Sequence, residues 1–188
     1  MKLEDKLIRT FLSVPVPIQV GSKKNMLYST LDEKFQVNWV KNNNLHLTIK
    51  FLDSSMDNID IFYDMLKETF KKSRTNPPHS KEFYAFLICT LIASNNLLFL
   101  SVEKESKNVS MGLFMFNNNE INFISGTSSP LGNKYGANNL MHWEVIRYAS
   151  THNIKQYNFG GLGIPSIDNF KRSFGGNDVE YRRFIWMK

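Results

Sequence analysis

Four stretches of this chain bring together residue types that could bind an anion or steer a proton. Asn133-Lys134-Tyr135-Gly136-Ala137-Asn138 is a glycine-bearing loop just ahead of a helical pattern. The unpaired amides of a helix N-terminus, with the helix dipole behind them, favour a phosphate or a developing oxyanion. Gly160-Gly161 follows an apolar run, at a point where the backbone must turn sharply or approach a ligand closely. Phe170-Lys171 stand on a short segment closed by Gly175-Gly176, and His46, Thr48 and Lys50 share one face of an alternating run. Each stretch also has a plainer reading. Glycine loops are the ordinary means of turning a chain, and a lysine on a short helix is ordinarily solvated.

The elements that must carry these residues follow from periodicity. Ala137, Leu140, Met141, Val145, Tyr148 and Ala149 recur at helical spacing, so a helix starts near Gly136. Trp143 and Ile146 widen its apolar stripe, which predicts packing on more than one side. Asn153 is its expected C-terminal cap. Gln156 to Phe159 reads as a short buried strand with Tyr157, Asn158 and Phe159 as pocket wall, Ser166 to Arg172 as a helix, and Val179 to Trp186 as the last strand, with Tyr181 near its start. Upstream, a helix over 57–73 presents Ile61, Phe62, Met65, Leu66 and Phe70, with Asp57 or Asn58 as cap. A second helix runs from about Lys81 to Ala93, capped by Ser80. Residues 97–104, 109–117 and 120–125 form an antiparallel meander with short connections.

Taken together, YGANNLMHWEVIRYA, YNFGG, FKRSFGG and Tyr181, with the upstream pieces Thr69 to Arg74 and Ser80 to Tyr84, resemble the FemAB aminoacyltransferases and, more broadly, the GNAT acyltransferase superfamily. The resemblance spans roughly residues 59–188. It implies an α/β (α+β) fold: a GNAT-like mixed, mostly antiparallel sheet flanked by helices, preceded by a βαβ half-domain over 1–58. It also implies an acyltransferase that moves an acyl or aminoacyl group from an activated donor to an amine acceptor. The donor would be acyl-CoA or aminoacyl-tRNA, with no bound cofactor and no metal, so tRNA is an expected partner. On this reading Phe170-Lys171 match the family's active-site pair, and Lys171 is the charge that stabilises the reacting carbonyl or a donor phosphate. Tyr135, Gly136, Ala137 and Asn138 take the place of the pyrophosphate loop, and Phe159, Gly160, Gly161 and Phe170 complete the donor site. The usual Gln/Arg-x-x-Gly-x-Gly/Ala pattern is incomplete here, since Gly132 and Gly136 are its only aligned glycines. Tyr181 would be a proton donor or a packed strand tyrosine, and Glu144 a base or a paired helix carboxylate. FemAB proteins usually carry two such domains, so a second domain or a homo-oligomer is expected.

The first 58 residues carry a second resemblance. IRTFLSVPVP followed by VNWVKNNNLHLTIKFLD is similar to the first half of the 2H phosphoesterases, the 2′-5′ RNA ligase-like family. That family uses two His-x-Thr/Ser motifs as a general acid–base pair. Here only His46-Leu47-Thr48 fits, because His79, His142 and His152 lack a Ser or Thr two places on. In the same region residues 8–16 read as a strand, 18–35 as a helix, and FQVNWV and Leu45 to Leu52 as two more strands, of which the last is the candidate first strand of the following sheet.

Bulk properties bound these readings. The chain has 188 residues, 42% of them hydrophobic, with 15 Phe, 7 Tyr and 3 Trp, enough for one real core. The net charge of +6 suits an anionic ligand without requiring one, and no dense Lys/Arg block marks a dedicated nucleic-acid surface. The single cysteine, Cys89, excludes an internal disulfide and is expected to be a buried thiol in FLICTLIA. The charged start MKLEDKLIRTF lacks a signal-peptide core, and the longest apolar run, 85–93, is too short to span a bilayer. A cytoplasmic protein without membrane insertion is the expectation. Three functions stay open: an acyltransferase centred on Lys171, an RNA phosphoesterase or RNA-binding remnant centred on His46 and Thr48, and a non-catalytic interaction module that keeps the fold.

Overall fold

The computed structural model describes residues 4–15 and 47–185. Strand β1 (Glu4–Pro15) and strand β2 (Leu47–Phe51) precede helices α1 (Met56–Lys72) and α2 (Lys81–Ala93). The meander β3 (Leu97–Lys104), β4 (Lys107–Phe116) and β5 (Glu120–Ser128) comes next. Then follow α3 (Pro130–Tyr135), α4 (Ala137–Thr151), β6 (Gln156–Gly161), α5 (Pro165–Arg172) and β7 (Asn177–Ile185). The expected helix over 18–35 and the FQVNWV strand lie outside the described residues.

The seven strands among the described residues form one sheet in the order β2-β3-β4-β5-β6-β1-β7. Every neighbouring pair is antiparallel except β5 and β6. The two described strands that precede residue 58 belong to it: β2 is the edge beside β3, and β1 runs between β6 and β7. This is the mixed, mostly antiparallel sheet flanked by helices that the sequence predicts.

Alternation along the strands sorts the core into two layers. Leu98, Leu100 and Val102 of β3 face α4 with Met141, Val145 and Ile146. Leu97 and Phe99 face α1 and α2, where Ile59, Phe62, Leu66, Tyr84 and Ile88 bury against them. Phe62 sits edge-on to both Tyr84 and Phe99, with ring centroids 5.6 and 5.7 Å away. Two covered faces explain why residues 97–102 are buried without a break. Helix α4 is buried on several sides, including Leu140, Met141, His142, Val145 and Ala149, as its wide apolar stripe requires.

Three local readings change. The N-cap position of α1 is Ser55, whose side chain makes no capping bond; Asp53 instead accepts from the Ser55 amide at 3.0 Å and the Asn58 side chain at 2.8 Å. Residues 130–135 form a helix where the sequence suggests a loop, because Ser129 accepts from the Gly132 amide and Pro130 supplies a ready-made first helical position. Cys89 is exposed rather than buried. Helix α2 rests on the sheet through Tyr84 and Ile88, leaving Cys89 on another side and Phe86 70% exposed.

Gly132 is required for α3 to lie on β4. A Cβ there would stand 2.2 Å from the Val109 carbonyl oxygen and 2.6 Å from Ser128 Oγ. At Gly161 a Cβ would meet nothing within 4 Å. Gly132→Ala should therefore destabilise the protein by about 1–3 kcal/mol in denaturant unfolding, through overpacking against backbone, while Gly161→Ala leaves the unfolding midpoint nearly unchanged.

Candidate functional site

The parallel pairing of β5 with β6 is short. Glu120 lies opposite Gln156, Ile121 opposite Tyr157, and Asn122 opposite Asn158, where the register ends. Asn158, 6% exposed, holds this end of the ladder: its amide donates to Glu120 at 2.9 Å, and its Oδ1 accepts from the Gly160 amide at 2.8 Å. Gly160 has φ +77, a left-handed conformation that suits glycine. Beyond it the two strands part, and a cleft of about 590 Å³ opens between β5, the start of α4, and α5. Its polar wall includes Thr127, Ser128, Asn133 and Asn138, and its other side is Phe123, His142, Ile167, Phe170 and Lys171.

The polar wall is braced from behind. Thr127 donates to the Met65 carbonyl at 2.8 Å and pairs with Thr69 at 2.6 Å, tying β5 to α1. Ser110 pairs with Asn138 Oδ1 at 2.9 Å. Gly136 takes φ 65 between α3 and α4 and ends one helix while starting the next.

Lys171 is 7% exposed, and its ammonium donates to the Gly161 carbonyl at 2.6 Å. Burial lowers its pKa, while the charge of Asp168 pulls the other way. Asp168, 9% exposed, accepts from the Gly163 amide through both oxygens, at 3.1 and 3.0 Å. It thereby shapes the loop whose carbonyl holds the lysine. An ammonium has three protons, so two remain for a ligand.

His142 is the residue that the sequence reading does not single out. It is 2% exposed and ringed by Phe114, Phe123, Phe159, Phe170 and Phe174, with centroids between 4.9 and 5.9 Å. Its Nδ1 is hydrogen-bonded to the hydroxyl of Tyr157, itself fully buried. Burial, and then the neighbouring Lys171 charge, push the imidazole pKa down to about 3, and burial raises that of Tyr157. The sequence signal was its place on the face of α4 between Met141 and Val145, visible only once a partner on β6 is known.

The expected site residues divide in two. Gly136, Asn138, Phe170 and Lys171 line the cleft, and Gly161 supplies the carbonyl that holds Lys171. Tyr135 does not line it; its ring lies under the ammonium groups of Lys104 and Lys134, at 4.8 and 5.6 Å. Ala137 and Phe159 are core residues, 0% and 1% exposed, and Phe159 reaches the site only through His142. Glu144 pairs with Arg147 at 3.4 Å, one helical turn away. Tyr181 is on β7 opposite Arg9 of β1. His46 lies outside the described residues, and Thr48 is exposed on the edge strand β2. No group of three or more metal-binding side chains occurs among the described residues, and no described helix is long and apolar enough to cross a membrane.

The acid stability of the fold follows from His142. Between pH 6.5 and about 3 the unfolded chain binds a proton that the folded imidazole refuses, so stability falls as pH falls. The fully developed slope is about 1.4 kcal/mol per pH unit. Unfolding followed between pH 6.5 and 5, where carboxylates stay ionised, should show this slope growing in the parent protein. His142→Gln should remove it.

Comparison with known proteins places this geometry in context. Residues 94–182 match the FemAB family, a stretch that contains all of the cleft named above except Thr69. Over 78 residues the chain is 35% identical to the aminoacyltransferase FemB of Staphylococcus epidermidis, covering 37% of this chain and 19% of that protein. The matched stretch is thus about a fifth of the length of the curated relative. The crystal structure of FemX superposes with a TM-score of 0.71 at 12% identity, covering 94% of this chain and 61% of that one. A predicted acetyltransferase from Clostridium acetobutylicum, solved with acetyl-CoA, superposes with a TM-score of 0.53 at 13% identity, covering 66% and 88%. These two likenesses show a shared fold.

Proposed function

We propose that this chain is an acyltransferase of the FemAB/GNAT type, moving an acyl or aminoacyl group from an activated ester or thioester to an amine. The observation that carries the reading is the buried Lys171 ammonium, anchored on the Gly161 carbonyl and lining a cleft inside the FemAB-matching region. In the reaction the amine nitrogen attacks the acyl carbon, a C–N bond forms, and the C–O or C–S bond of the donor breaks. In net terms one amine proton ends on the departing oxygen or sulfur. An ammonium fixed in the cleft favours the tetrahedral intermediate, whose charge it meets with little reorganisation. Aligning the two substrates supplies a further part of the acceleration.

For the donor, aminoacyl-tRNA is the first choice, with acyl-CoA as the second. The FemB relative is named an aminoacyltransferase. Of the positions 135–138 that would form a pyrophosphate loop, Tyr135 is the last residue of α3, and the Gly136 amide that caps α3 donates to the Asn133 carbonyl. The expected tRNA partner, the amine acceptor, a cytoplasmic location and a second domain or second copy follow from the same reading. A 2H-type role for His46 and Thr48 draws nothing from the cleft: Thr48 is not in its described lining, and His46 lies outside the described residues.

Lys171→Met should reduce single-turnover transfer from aminoacyl-tRNA to an amine acceptor by about 100-fold or more, the loss typical of one oxyanion donor. Far-ultraviolet circular dichroism and a cooperative melt should stay native. Unchanged transfer in a folded Lys171→Met protein would remove the lysine from the mechanism.

A further inference from the structure

We infer that Tyr157 fixes His142 as the Nε2–H tautomer, making the imidazole a second hydrogen-bond donor beside Lys171 for one oxygen of the acyl group. This rests on the acyltransferase reading of the cleft and names the part of the substrate that the two residues take. The argument begins from the Tyr157 hydroxyl. It is fully buried, and His142 Nδ1 is its sole hydrogen-bond partner among the described residues. If Nδ1 carried the proton and donated it, the phenolic hydrogen would have no acceptor. An orphaned buried donor costs about 1–3 kcal/mol. If the phenol donates to Nδ1, both groups are satisfied. That arrangement puts the imidazole proton on Nε2.

Nε2 has no partner among the described residues, while the ring lines the cleft that also holds Lys171. The aromatic ring of Phe114, Phe123 and Phe159 around His142 offers no acceptor either. So the cleft receives a proton on nitrogen from His142, and two more from the Lys171 ammonium, whose third goes to Gly161. Neither group offers a lone pair. Such a pair suits a carbonyl oxygen that becomes negative, and does not suit an amine that must lose a proton. Burial keeps the imidazole neutral near physiological pH, which holds the tautomer in place. His142 is thus an oxygen-binding donor and not the base, and Tyr157 is a positioning residue.

Long-range proton–nitrogen correlation on histidine-labelled protein reads the tautomer directly. The expected result is a neutral His142 with protonated Nε2 and unprotonated Nδ1 at pH 7, with Tyr157→Phe giving a mixture of tautomers. Acetate, used as an oxygen-bearing probe, should shift the Nε2 resonance, and ethylammonium at the same concentration should not. In transfer assays His142→Leu should lose tenfold or more in kcat, with part of it restored by His142→Gln, whose side-chain amide can donate. An Nδ1–H tautomer, titration near pH 6.5, or an Nε2 signal indifferent to acetate would overturn the inference, whatever the transfer assay shows. Absence of transfer with every donor, alongside the expected tautomer and acetate response, would instead overturn the acyltransferase reading and leave His142 as an oxygen-binding donor.

Discussion

The structure depends on the place where two parallel strands stop pairing. β5 and β6 share register only from Glu120/Gln156 to Asn122/Asn158. Past that point the facing edges of the two strands no longer pair. Their outer edges stay paired on both sides of it, β5 with β4 and β6 with β1. Asn158 closes the ladder with one bond to Glu120 and one to Gly160. The gap that results has Thr127, Ser128, Asn133 and Asn138 on its polar wall and Phe123, His142, Ile167, Phe170 and Lys171 on the other. A continuous ladder would have filled it with sheet.

Into this gap the fold places an ammonium and an imidazole, and both are held at some cost. Burial disfavours the charged form of each, as their lowered pKa values record. The lysine is offset by the Gly161 carbonyl and by the charge of Asp168. The histidine stays neutral and is satisfied by Tyr157. The two solutions differ in kind, and both leave N–H groups for a ligand. Groups fixed in this way need little reorganisation when charge develops on a bound oxygen. Rigidity at the cleft therefore draws on the same contacts that limit the stability of the fold at low pH.

Much of the fold was legible in the sequence because its signals are local. The 3.6-residue stripes of α1 and α4, the short turns of the meander and the Ser80 cap need only neighbouring residues to be read, and each element stands within a few residues of its expectation. Lys171, Phe170, Gly136 and Asn138 were legible for the site because they sit within short motifs. Tyr135 and Ala137 were not separable from them, since a helix start and a core position differ only in what packs on them. His142 and Tyr157 were illegible as a pair. They lie 15 residues apart on different elements, and their bond exists only once α4 lies across β6. Cys89 misled for a related reason: an almost uniformly apolar helix does not announce which side meets the sheet.

The most direct test is a crystal structure of the protein with a non-hydrolysable donor, an aminoacyl group joined by an amide to the 3′ position of adenosine. The account predicts the acyl carbonyl oxygen within hydrogen-bond distance of both Lys171 Nζ and His142 Nε2, with the nucleoside leading out past the polar wall of Thr127 and Asn138. An acyl group bound elsewhere, or a carbonyl turned away from both nitrogens, would contradict it.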